Sequence, residues 1–178
     1  MYRNALSLVL MVGVGTALLA GCLAAARGMN LYLLIVISIF YCFGFGAHFF
    51  SLRHSPKVEE SPRYIAIMAV TVGAAVSTWG LRAILGFNVA VASGLVGLLA
   101  TMLLPSQLAA AAYAASVTAM SSMAVLTGLP MFICAGFIVG GFFSLALPVY
   151  EGIGGKLGTI AAGAVFTTVL IFSLLGVI

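Results

Sequence analysis

Apolar stretches follow one another along this chain with only brief polar interruptions between them. A helix that crosses a bilayer needs about 20 apolar residues, and runs near that length occupy residues 5–26, 31–50, 64–86, 88–104, 106–128, 129–149 and 157–178. Each run predicts a helix. The first is closed by Arg27-Gly28-Met29-Asn30, and the second becomes aromatic toward its end with Phe43, Phe45, Phe49 and Phe50. Between Ser51 and Arg63 lies the one extended hydrophilic connection, which carries Arg53, His54, Lys57, Glu59, Glu60 and Arg63 together with Pro56 and Pro62. That segment predicts a surface loop. Pro105-Ser106-Gln107 ends the fourth run, because proline favours a helix start and the polar pair suits a headgroup region.

The fifth run is unlike its neighbours. It is mostly alanine and carries Ser116, Thr118, Ser121, Ser122 and Thr127. A helix of this kind gains little by facing lipid, so other helices should surround it, with its hydroxyls bonding backbone carbonyls or lining a polar path. If this stretch is re-entrant, the number of spans falls from seven to six.

Composition identifies the solvent. Of 178 residues, 64% are hydrophobic and 6% are charged, against roughly a quarter charged in a soluble domain. So few charges cannot cover a water-exposed surface. The 12 Phe and 6 Tyr, set in long apolar runs, argue against a fibre or a disordered chain. The expected fold is therefore all-α: a polytopic helical membrane bundle of about seven transmembrane helices, a single domain over residues 1–178. The lipid bilayer is its first partner, and a multi-pass place in the inner cell membrane is expected.

The formal charge of +4 comes from seven Lys and Arg against three acidic residues. Scattered as they are, these make no nucleic-acid surface; they serve as topology signals. With the N-terminus inside, Arg3, Arg53, Lys57, Arg63 and Lys156 all fall on the cytoplasmic side, leaving Arg27 and Arg82 nearer the outside. The expected arrangement is N-in and C-out. Sliding the chain by 69 positions lays Gly86, Ala92, Gly94 and Val96 over Gly155, Ala161, Gly163 and Val165. That shift sets helices 2–4 against helices 5–7 in opposite orientations, as in the inverted repeats of transporters, although composition alone can produce four such identities.

Several chemistries lose support at this point. Cys22, Cys42 and Cys134 lie far apart with no Cys-x-x-Cys spacing, so neither a thiol pair nor a structural metal site is expected, and no cofactor is implied. Leu19-Ala20-Gly21-Cys22 after a basic start reads like a lipoprotein signal, but more membrane sequence follows rather than an exported soluble domain. A first transmembrane helix rich in small residues fits better. His48 and His54, with Glu59 and Glu60 beyond them, match no rigid metal-ligand spacing.

The most distinctive polar segment is Glu151-Gly152-Ile153-Gly154-Gly155-Lys156-Leu157-Gly158-Thr159. Glycines expose amide donors, a following helix N-terminus adds positive potential and Lys156 adds a full charge, which together could hold an anion. The alternative is a tight interhelical turn with a snorkelling lysine and a local Glu151 to Lys156 attraction. A Walker A loop does not fit, since Leu157 follows Lys156 and Tyr150 sits where the first glycine belongs. Gly154-Gly155-Lys156-Leu157-Gly158 resembles the Gly-Gly-Lys-Gly run of membrane acyltransferases over about six residues, without the companion Asn-rich glycine motif. Val91-Ala92-Ser93-Gly94 resembles the nucleophile turn of rhomboid proteases, with Val91 in place of the first glycine. Rhomboids draw their base from a later helix, whereas both histidines here come earlier. Ser93 then reads with Gly94 and Gly97 as a close-packing face.

Arg82 is the sole charge inside the third run. An isolated arginine at mid-bilayer costs about 2.5–3.5 kcal/mol on insertion scales, so it must reach the interface, a wet cavity or a partner. Trp79 and Asn88 nearby place it toward a helix end. Gly136-x-x-x-Gly140 and Gly154-x-x-x-Gly158 fit the small-xxx-small pattern of close helix pairs.

These residues favour a permease or channel-like transporter of a small solute over an enzyme, since no soluble catalytic domain, nucleotide motif or ligand set is present. Its path is expected along Ser116, Thr118 and Ser121 with Arg82, gated near Glu151, Gly154, Gly155 and Lys156. The competing expectation is a structural or accessory subunit, so the partner is either a second copy of the chain or another membrane subunit.

Overall fold

The computed structural model describes Gly13, residues 64–147 and residues 156–177. The expected helices over 5–26 and 31–50, the loop over 51–63 and the glycine segment over 151–155 lie outside these, apart from Gly13. Two compact units are distinguished, Met1–Glu59 with Leu145–Gly154 and Glu60–Ser144 with Gly155–Ile178. Nearly all described residues belong to the second.

Five α-helices make up the described residues: α1 (Tyr64–Ala83), α2 (Val89–Leu103), α3 (Ser106–Thr118), α4 (Leu129–Ala146) and α5 (Lys156–Leu174). Three of them, α1, α4 and α5, are long and apolar enough to cross a membrane, and α2 is a shorter apolar helix. The chain is thus a helical, multi-pass membrane protein. The described part does not, however, supply five of seven full spans. In lipid every backbone polar group must be bonded within its own segment, which is why a stretch as rich in β-branched residues as Tyr64–Ala83 is nonetheless helical. Outward-facing large side chains such as Ile65, Leu98, Leu99, Met102, Phe137 and Leu170 are exposed, as a lipid-facing surface requires.

The main correction concerns residues 106–128. The helix there has 13 residues, about 20 Å at 1.5 Å per residue, against a hydrocarbon core of about 30 Å. It stops at Thr118, and 119–128 are turns. Local chemistry accounts for the stop. Met120 N–H donates to Val117 O at 3.0 Å and Ser121 N–H to Thr118 O at 3.2 Å, tightening the last turn. Ser122 then sets its own turn, accepting at its carbonyl from Val125 N–H and Leu126 N–H at 2.9 and 3.0 Å and at Oγ from Ala124 N–H at 3.2 Å. Serine competes with the helix ladder in this way wherever the backbone is free to turn. Leu126, fully buried, anchors the turn segment, and Pro130 at the second residue of α4 restarts the helix where no amide is missed.

Around α3 pack α1, α2 and α5. Ala109, Ala111, Ala112, Ala114 and Ala115 are all buried, so the alanine run lets three neighbours close on one backbone. As expected, this helix is enclosed. Helices α2 and α3 form an antiparallel pair about Leu104-Pro105, because Ser93 early in α2 meets Ser116 late in α3 and a Cβ on Gly97 would meet the Tyr113 ring.

Helix α4 lies against α1 through Gly136 and Gly140. A Cβ at Gly136 would fall 2.8 Å from Val72 Cα, and one at Gly140 would fall 2.8 Å from Thr71 Oγ1. The small-xxx-small expectation holds at this pair. It does not extend to Gly158 or Gly94, where an added Cβ meets nothing within 4 Å. Both face open space, so Gly94 is no part of the close contact that Ser93 and Gly97 make.

Candidate functional site

The end of α3 is where the polar groups of the described residues converge. Eight backbone groups are left unpaired at the two ends of any helix, and the four carbonyls at the C-terminus carry partial negative charge. In α3 that end is buried against other helices, Thr118 and Ala119 being almost wholly covered, so its carbonyls need partners from the protein. Arg82, in the last turn of α1, supplies them. Its Nη1 donates to Ala119 O and to Ser121 O, the latter at 2.9 Å. Because Arg82 reaches Ala119, the C-terminal ends of α1 and α3 lie together.

A cation on the carbonyls of a helix C-terminus is favoured both as a charged hydrogen-bond donor and by the helix dipole. Snorkelling therefore gives an incomplete account of Arg82: its guanidinium is held by named carbonyls, and Glu151, its other conceivable partner, lies outside the described residues.

Trp79, one turn before Arg82, sets its ring 6.5 Å from that of Phe132 on α4, at 45°. The pair keeps the helix end that carries Arg82 against the start of α4. Beyond Ala83 the chain turns through Gly86, whose φ of +69° is open to glycine at little cost. Asn88 then caps α2, its Oδ1 accepting from Ala90 N–H at 3.0 Å.

Of the two roles expected of these hydroxyls, bonding backbone carbonyls or lining a path, Ser116 and Thr118 show the first. Ser116 is fully buried; its Oγ donates to Tyr113 O at 2.9 Å and lies 3.0 Å from Ser93 Oγ across the α2–α3 contact. Thr118, also buried, donates to Ala114 O at 2.9 Å. Both hydroxyls serve the helix that carries them. Thr71, Thr78, Ser144 and Thr168 behave alike, each donating to the carbonyl four residues earlier at 2.7–2.9 Å, which lets a hydroxyl be buried without an orphaned donor. Ser121 enters through its backbone carbonyl. Lys156 is half-buried at the first residue of α5, whereas Glu151, Gly154 and Gly155 lie outside the described residues.

Two participants escaped sequence reasoning. The Ala119 carbonyl has no residue-type signature at all, and Ser93 was legible as a small packing residue rather than as the hydroxyl partner of Ser116. A usable signal for the first was present: a lone arginine in one apolar run, and a second run too polar to face lipid. Among the described residues no group of three or more His, Cys, Asp or Glu could hold a metal ion.

Comparison with known protein families, with curated sequences and with solved structures finds no match to this chain.

Proposed function

We propose that this chain works as a small permease or channel-like transporter, a single membrane domain in the inner cell membrane. What carries the reading is the broken helix: α3 ends among other helices with Arg82 on its terminal carbonyls. Short helices whose ends are packed among neighbouring helices, with backbone carbonyls and a charge gathered there, recur at the solute and ion sites of secondary transporters. The polar surface offered to a solute is then the backbone of 119–121 with Arg82. Ser116 and Thr118 stabilise the approach to it, and Glu151, Gly154, Gly155 and Lys156 form a gate at the glycine segment.

The reading keeps the N-in, C-out arrangement that the distribution of Lys and Arg suggests. For the inverted repeat, burial agrees at Ala92 and Ala161 but differs at Gly94, which is exposed, and Gly163, which is buried. The repeat therefore adds no support to the transporter reading.

Stopped-flow swelling of proteoliposomes with glycerol, urea and glycine as trial solutes tests the proposal. Wild-type vesicles should swell faster than empty ones for at least one solute, and Arg82→Gln should slow that flux. Lys156→Ala and Glu151→Ala report on the gate; unchanged flux in both removes the glycine segment from the mechanism. Wild-type vesicles no more permeable than empty ones to all three would overturn the transporter reading for solutes of this class.

A second reading, a structural or accessory subunit of a larger membrane complex, is favoured by the outer face of α1. Ala69, Gly73 and Ser77 are spaced four residues apart and exposed, with open space beside Gly73 and Gly80. Another membrane helix could approach closely there. Purification in mild detergent separates the readings: a stoichiometric foreign subunit supports the accessory role, and an isolated homo-oligomer supports transport.

A further inference from the structure

We propose that the carbonyl oxygens of Ala119 and Ser121 form a site for a small monovalent cation, which in this chain is filled by the tethered guanidinium of Arg82. The inference stands on the geometry of the break and does not require that the protein move a solute.

Both carbonyls lie just beyond the last residue of α3, where the helix has run out of amide donors. Among the described residues neither accepts a backbone hydrogen bond: the turns that follow use the carbonyls of Val117, Thr118 and Ser122 instead. Among the described residues the donor that reaches both is Nη1 of Arg82. Two carbonyls without backbone donors, meeting one guanidinium nitrogen at the negative end of a helix dipole, share their chemistry with the unwound carbonyls that help hold sodium or protons in transporters. A tethered guanidinium meets the same electrostatic demand without a free ion. It comes, moreover, from a helix 37 positions away in sequence, so the charge also ties α1 to the end of α3. One consequence concerns energy coupling. A site already filled by its own side chain binds no exchangeable alkali ion, so sodium has no role at this break in the wild-type protein.

Truncating the side chain should vacate the site and make the protein responsive to ions in solution. The experiment follows thermal unfolding of the full chain in detergent by Trp79 fluorescence, comparing wild type, Arg82→Ala and Arg82→Lys. Each is measured in choline chloride and with sodium, potassium or guanidinium added at low, non-denaturing concentration. Arg82→Ala is expected to melt below wild type in choline. One of the three small cations should raise its Tm by roughly 3–6 °C at tenfold excess over Kd, with wild type unmoved. Arg82→Lys, which keeps a tethered cation, should lie between the two and respond less. If Arg82→Ala does not survive extraction, the readout becomes folded recovery with and without guanidinium present, and recovery that depends on guanidinium supports the site. The proposal is overturned if Arg82→Ala melts like wild type. It is equally overturned if no cation stabilises Arg82→Ala more than wild type, if Arg82→Lys responds as fully as the alanine variant, or if recovery is indifferent to guanidinium.

Discussion

Gly136→Ala is the sharpest single test of how α1 and α4 are held together. The methyl group would be placed 2.8 Å from Val72 Cα, 3.2 Å from Thr71 O and 3.2 Å from Val72 N, all of them backbone atoms that cannot rotate away. Unstrained carbons sit about 3.5–4.0 Å apart, so the two helices must part by most of an ångström along the contact. Overpacking of this kind costs about 1–3 kcal/mol. Replacing glycine by alanine within a helix returns up to about 1 kcal/mol in propensity, which leaves a net loss of up to about 2 kcal/mol. For a chain of this size that corresponds to a Tm lowered by up to roughly 8 °C. The reporter is built in, because Trp79 is the chain's one tryptophan and packs across the same interface on Phe132. Gly158→Ala is the control, since its methyl meets nothing within 4 Å and only the propensity gain applies. In detergent melts followed by tryptophan emission, Gly136→Ala should unfold at a lower temperature than wild type, and Gly158→Ala at the same or a higher one. A Gly136→Ala protein that melts at or above the Gly158→Ala protein would refute the close packing of α1 on α4.

Two further predictions concern α2 and α3. The Ser93–Ser116 contact should appear as a coupling of roughly 0.5–1.5 kcal/mol in a double-mutant cycle of the two alanine variants, near the values found for interhelical hydrogen bonds in membranes; it is measured by unfolding in mixed micelles, and zero coupling would mean that the hydroxyls do not bond. Gly97→Ala places its methyl 2.8 Å from Tyr113 Cδ2, yet that ring is 45% exposed and can swing outward, so the fall in Tm should be smaller than for Gly136→Ala. In a Tyr113→Leu background the same substitution should cost nothing measurable, and an undiminished cost would show that the ring is not the obstacle.

The chain alone determined its solvent and, through it, its class of secondary structure. Sixty-four per cent hydrophobic residues place the chain in lipid, and lipid permits a spanning backbone only as helix or closed barrel. That constraint is local, so the runs over 64–86, 88–104, 129–149 and 157–178 correspond to helices whose ends differ from theirs by only a few residues. Each end is set by nearby residues: Gly86 after α1, Asn88 before α2, Pro130 at the start of α4. The unusual character of 106–128 was legible too, because alanine and hydroxyl residues give a helix little reason to face lipid.

Where that helix stops, and what meets its end, belongs to the tertiary structure. Residues near Ala119 are compatible with more helix. The break is held by a guanidinium from a different helix, and no pattern read along the chain identifies which carbonyls a distant arginine will reach. Gly136-x-x-x-Gly140 and Gly154-x-x-x-Gly158 make the same point: the motif states that a backbone can be approached, while Gly136 meets Val72 and Gly158 meets open space. Burial in lipid acts on each residue separately and is visible in composition, whereas docking between helices acts on pairs and is decided only when the helices have been assembled.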